Sequence, residues 1–159
     1  MRIKIGIFAS GSGTNAENII RYFSEKPSFQ VTLIVSNKED AYVLERARKF
    51  DIPAIVCSKM DFLSTNKVVD ILRGYKIDFI ILAGFLLRIP ENIIHIYPNR
   101  IVNIHPALSR TGELVISTNT DCSNFWDNFN APGSADFYRP YFYRVFNWES
   151  LYDNDAPLE

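Results

Sequence analysis

The sequence predicts an α/β protein whose residues 1–108 build a doubly wound, Rossmann-like parallel sheet. Three observations carry that prediction. Short apolar runs recur along the stretch, amphipathic segments separate them, and the runs are continuous rather than alternating. Continuous apolar runs suit strands covered on both faces. Strands alternating with helices imply right-handed βαβ units and a parallel sheet.

The strands are expected at Ile3 to Ala9, Val31 to Val35, Ala54 to Cys57, Ile77 to Ala83 and Arg100 to His105. Pro106 is expected to end the last of them, because proline has no N–H for the ladder. Between the strands, Ala16, Ile19, Ile20 and Phe23 form one helical stripe, and Val43, Leu44, Ala47 and Phe50 a second. Phe62, Val68, Val69, Leu72 and Tyr75 form a third, ending near Arg73-Gly74. His95 falls in a helix-like stretch before Tyr97-Pro98 and is expected to be exposed or capping.

Residues 109–159 are a different kind of sequence. Residues 1–109 carry net charge +4, and residues 110–159 carry −5. Eleven of the last 50 residues are aromatic, and no lysine follows Lys76. Periodicity is poor there, although Leu114-Val115-Ile116 could form a strand. The expected division is a phosphate-binding and catalytic core over 1–108 and an aromatic, acidic tail over 109–159.

Composition narrows the function classes. The overall charge of −1 gives no reason to expect nucleic acid or an anionic membrane as partner. No apolar run approaches the roughly 20 residues that span a bilayer. The N-terminal apolar stretch is short and leads into a Gly/Ser turn, unlike a signal peptide. Cys57 and Cys122 make neither a metal spacing nor a disulfide framework, so no metal is expected and a reduced, cytoplasmic compartment is. Small molecules are the expected partners.

Three loops carry the candidate chemistry. The first strand runs through Ala9-Ser10 into Gly11-Ser12-Gly13-Thr14-Asn15 and then directly into a helix. Glycines permit a tight turn, and the free N–H groups and dipole of the helix start favour an anion. Gly11, Ser12, Gly13, Thr14 and Asn15 are the candidate phosphate ligands. The loop is not a P-loop, since it lacks the Gly-Lys-Ser/Thr ending, nor the dinucleotide fingerprint, since Ala16 stands where a third glycine belongs. A plain turn capped by Ser or Thr is the alternative.

The second loop, Ala83 to Pro90, follows the fourth strand, and ligands of open parallel sheets sit beyond the C-terminal strand ends. Phe85, Leu86 and Leu87 could equally pack into the core. The third feature is Asn103 and His105, two apart in a strand and therefore on one face. They pair a hydrogen-bond donor with a group that is acid or base near neutral pH.

Ile7 through Asn15, Ser36-Asn37, Leu82-Ala83-Gly84-Phe85 and Asn103-Ile104-His105-Pro106-Ala107-Leu108 together resemble the phosphoribosylglycinamide formyltransferase family, in order and spacing, through residue 108. The resemblance implies the formyltransferase fold and formyl transfer from 10-formyltetrahydrofolate, as co-substrate, to glycinamide ribonucleotide in purine synthesis. It implies that Gly13, Thr14 and Asn15 hold the ribonucleotide phosphate. It places the pterin against the backbone of Leu86, Leu87, Arg88 and Ile89, and it makes Asn103 and His105 the catalytic pair.

The chain departs from the family after Leu108. The family continues with Leu-Pro-Lys and later supplies an aspartate on a folate-binding loop. Here Ser109-Arg110-Thr111 follows, Tyr141 stands near the expected aspartate, and Asp121, Asp127 and Asp136 have no matching neighbours. Two alternatives therefore stand beside the transferase. One is a non-catalytic phosphate- or nucleotide-binding domain without a folate loop. The other is a sugar-nucleotide N-formyltransferase, against which the glycine loop speaks.

Overall fold

The structure is a computed structural model that describes residues 1–108 and 114–118, with side chains described through Ile104. Six strands form one sheet: β1 (Ile3–Phe8), β2 (Phe29–Ser36), β3 (Ala54–Val56), β4 (Phe79–Ala83), β5 (Ile101–Leu108) and β6 (Leu114–Thr118). Their order is β3-β2-β1-β4-β5-β6. The first five are parallel, and β6 is antiparallel to β5. The tail expected over 109–159 lies outside the described residues apart from β6, which realises the strand suggested by Leu114-Val115-Ile116.

The chain starts at the centre of the sheet, steps outward through β2 and β3, then returns past β1 to β4. Right-handed crossovers with that reversal put the helices before β3 on one face and those after it on the other. Helices α1 (Thr14–Ser24) and α2 (Val43–Lys49) cover one face, where Ile5, Ile7, Ile34, Ile81 and Val102 pack with Ile19, Phe23 and Ala47. Helices α3 (Lys59–Leu63), α4 (Lys67–Gly74) and α5 (Glu91–Ile96) cover the other. There Phe8, Leu33, Ile80 and Leu82 pack with Phe62, Val69, Leu72 and Ile93. The double covering explains why every residue of β4 is buried and why its sequence is uniformly apolar.

Two expectations need correction. The third helical stripe is not one helix but α3 and α4. Ser58 opens α3 with a capping box shared with Asp61. Thr65 then donates its hydroxyl to the carbonyl of Asp61 and accepts the Lys67 N–H. Short polar side chains compete for the backbone in this way and interrupt a helix. Pro106 likewise does not end β5, which pairs with β6 as far as Leu108. The register shifts between His105 and Leu108, and such an irregularity accommodates a proline that cannot donate.

Among the described residues no helix is long and apolar enough to cross a membrane.

Candidate active site

The topology reverses between β1 and β4, the place where open α/β sheets bind their ligands. The three loops singled out in the sequence meet at that edge.

The loop after β1 turns on Gly13, the N-cap of α1, whose φ is 76°. No side chain caps this helix, so the Ser/Thr-capped turn is not what forms. None of the backbone N–H groups from Gly11 to Ala16 has an acceptor among the described residues. The Ser12 and Thr14 hydroxyls lie 3.1 Å apart and are exposed. The result is a row of donors unpaired among the described residues.

The carbonyl side of the same loop is held from behind by α2. Val43 N–H donates to Gly11 O at 3.1 Å, and Arg46 Nε donates to Ser12 O at 2.7 Å. The Arg46 guanidinium also pairs with Glu17 in the first turn of α1 and lies 5.1 Å from the Tyr42 ring centroid. Glu17 accepts from Arg21 as well, and these arginines, Arg21 foremost, hold its carboxyl below the usual glutamate range. With its carbonyls engaged behind, the loop presents its N–H groups forward.

The loop after β4 turns at Gly84, whose φ is 68° with open space where a Cβ would stand. This glycine is required by backbone conformation rather than by crowding. Phe85 is buried, against Phe8 and Phe62, so the core-packing alternative holds for that residue. Leu86 is 68% exposed, Leu87 is half-buried against the core and Ile89 is buried. Arg88 is exposed. The Leu86 N–H is already given to Ser10 Oγ at 2.9 Å, whereas the N–H groups of Leu87, Arg88 and Ile89 have no acceptor among the described residues.

Asn103 lies on β5, paired in register with Leu82 of β4 and Ser117 of β6. It is 9% exposed, and its carboxamide makes no hydrogen bond with a described residue. The His105 backbone pairs with Val115, and its side chain lies outside the described ones. His95 is exposed in the last turn of α5.

Three contributors were not singled out in the sequence. Ser10 bonds to both flanking loops, Asn37 receives the Ser10 hydroxyl, and Arg46 grips the glycine loop. Ser10 and Asn37 sit inside the motifs quoted above, but their contacts span 76 and 27 positions of chain and need the fold to be seen. No group of three or more His, Cys, Asp or Glu side chains among the described residues could hold a metal. A cavity of about 240 Å³, lined by Phe23, Lys26, Phe29 and Phe50, lies at the opposite edge and shares no residue with these loops.

A parallel sheet wound in this order, with a donor-rich glycine loop at its reversal point, defines a Rossmann-like α/β protein. The chain belongs to the formyl transferase family, whose model matches residues 3–109. A model for a domain of unknown function matches residues 83–148. The chain is 42% identical over 113 residues to the chloroplastic phosphoribosylglycinamide formyltransferase of Arabidopsis thaliana, covering 67% of this chain and 39% of that protein. It is 33% identical over 110 residues to phosphoribosylglycinamide formyltransferase of Bacillus subtilis strain 168, covering 66% and 56%. Among solved structures, glycinamide ribonucleotide transformylase 1 of Geobacillus kaustophilus superposes with a TM-score of 0.62 at 35% identity, covering 68% of this chain and 60% of that one. The chain thus spans about half the length, or less, of the curated relatives it matches.

Proposed function

We propose that this chain transfers a formyl group from 10-formyltetrahydrofolate to the amine of glycinamide ribonucleotide, the step of purine synthesis named in its relatives. The observation that carries the reading is the row of N–H groups from Gly11 to Ala16, unpaired among the described residues and facing the same sheet edge as the buried Asn103. A phosphate satisfies the first, through the backbone of Gly11, Ser12 and Gly13 and the helix start at Thr14 and Asn15. The exposed Leu86 and the N–H groups of Leu87, Arg88 and Ile89, unpaired among the described residues, fit a flat, polar-edged heterocycle such as a pterin.

In this reading the substrate amine attacks the formyl carbon, and negative charge grows on the formyl oxygen. The Asn103 carboxamide donates to that oxygen, a contribution on the order of 3 kcal/mol for a preorganised donor. The C–N bond to folate N10 then breaks, protonated His105 supplies the proton that the leaving nitrogen needs, and the proton lost by the attacking amine restores the imidazolium. General acid–base help of this kind adds roughly 10²–10⁴-fold. The two small molecules are the proposed partners, no metal takes part in the proposed steps, and the proposed compartment is the reducing cytoplasm, consistent with the free, buried Cys57.

The test is formyl transfer followed by folate absorbance, with wild type beside His105→Ala, and ribonucleotide binding measured for each. Loss of turnover with binding retained is expected, because His105 acts on charge that appears only during reaction. Unchanged turnover in the variant discards His105.

A further inference from the structure

Ser10 stands between the two substrate loops and is 2% exposed. Its N–H donates to Gly84 O at 3.2 Å. Its hydroxyl donates to Asn37 Oδ1 at 2.5 Å and accepts the Leu86 N–H at 2.9 Å. Asn37 is itself held at the end of β2, where Ser36 Oγ accepts the Lys38 N–H and donates to the Lys38 carbonyl. Gly84 N–H reaches Ile104 O at 3.5 Å, between the two proposed catalytic positions. One buried residue thus ties together the ends of β1, β2 and β4, and through Gly84 that of β5.

A hydroxyl has a single proton to donate. Asn37 takes it, which turns a lone pair of Oγ toward Leu86. The orientation of the second loop is therefore set by a residue adjacent to the first. We propose that Ser10 is a positioning residue that couples the glycine loop to the 84–90 loop, so that an anion held at Gly11 to Asn15 also rigidifies Leu86. The proposal rests on the phosphate reading above. Ser10 touches neither substrate in this scheme and acts through the Leu86 N–H.

Amide hydrogen exchange by NMR on the full chain, with inorganic phosphate as probe, tests it. In Ser10→Ala, Leu86 exchange is expected to speed up on the order of tenfold, the equivalent of one part-buried hydrogen bond, while core amides such as Ile7 and Ile81 are unchanged. Phosphate is expected to shift the Gly13, Thr14 and Asn15 amides in both proteins but to slow Leu86 exchange in wild type alone. A loss of general stability would move the core amides too, so the pattern separates positioning from mere support. Asn37→Ala, which keeps the hydroxyl but frees its proton, carries the same expectation at smaller size should Ser10→Ala not fold. Leu86 exchange unchanged in Ser10→Ala, or slowed equally by phosphate in both proteins, overturns the coupling. Phosphate that moves no amide from Gly11 to Asn15 defeats the functional reading, and the coupling falls with it, but on different residues.

Discussion

Val43 occupies the space that a side chain on Gly13 would need. A Cβ placed on Gly13 would lie 2.5 Å from Val43 Cγ2 and 2.8 Å from Val43 Cα. The same Val43 gives its N–H to Gly11. Helix α2 is therefore the wall against which the glycine loop is formed, and Gly13 is required twice over, by its φ of 76° and by crowding.

Gly13→Ala is expected to destabilise the protein by about 2–4 kcal/mol, combining left-handed strain with overpacking. Urea unfolding measures it. Adding Val43→Ala should recover only part of the loss, because the backbone of residue 43 would still crowd the new methyl group and the left-handed strain would remain. An unchanged midpoint for the single variant would mean the loop turns differently.

Arg46→Met keeps the stem of the side chain over Tyr42 and removes the bonds to Ser12 O and Glu17. Arg46 and Glu17 are 21% and 16% exposed, so the pair is partly screened and the expected loss is about 1–2 kcal/mol. A double-mutant cycle with Glu17→Gln should show non-additive changes. Additive changes would reduce the contact to coincidence.

The strands were legible because burial on both faces leaves continuous apolar runs such as Phe79 to Ala83. The glycine loop was legible because its conformation demands particular residues. The break at Ser64 to Asn66 was not, because an apolar stripe carries through it and only local side-chain bonds interrupt the helix. The passage of β5 beyond Pro106 depended on a partner strand, β6, that supplies a shifted register. Ser10 and Arg46 carry common residue types, and what they do follows from neighbours distant in the chain.

The Glu17 carboxyl is held below its ordinary value, so its contribution is present above that value and lost as pH falls through the lower, folded one. Unfolding midpoints should therefore drop in acid, starting below about pH 4.3, the unperturbed glutamate value. In Glu17→Gln part of that fall should vanish, the rest belonging to groups such as Asp61, which the Ser58 N–H and Lys67 also hold down. Parallel acid limbs for the two proteins would deny Glu17 this role.

Burial pushes the Cys57 thiol up, with the nearby Asp61 adding to the effect. In a Cys122→Ser protein the Cys57 thiol should resist a disulfide reagent at neutral pH and react fully in denaturant. Rapid labelling of the native protein would contradict the closed core around Phe8 and Phe62.

The proposed function turns on the loop from Gly11 to Asn15 holding the phosphate of glycinamide ribonucleotide. Calorimetric titration of that ribonucleotide into wild type and Asn15→Leu tests it most directly. Saturable binding to wild type is expected, with a loss of affinity on the order of tenfold or more in the variant, whose side chain can no longer donate beside the helix start. Equal affinity for the two proteins, or no binding to wild type, would contradict it.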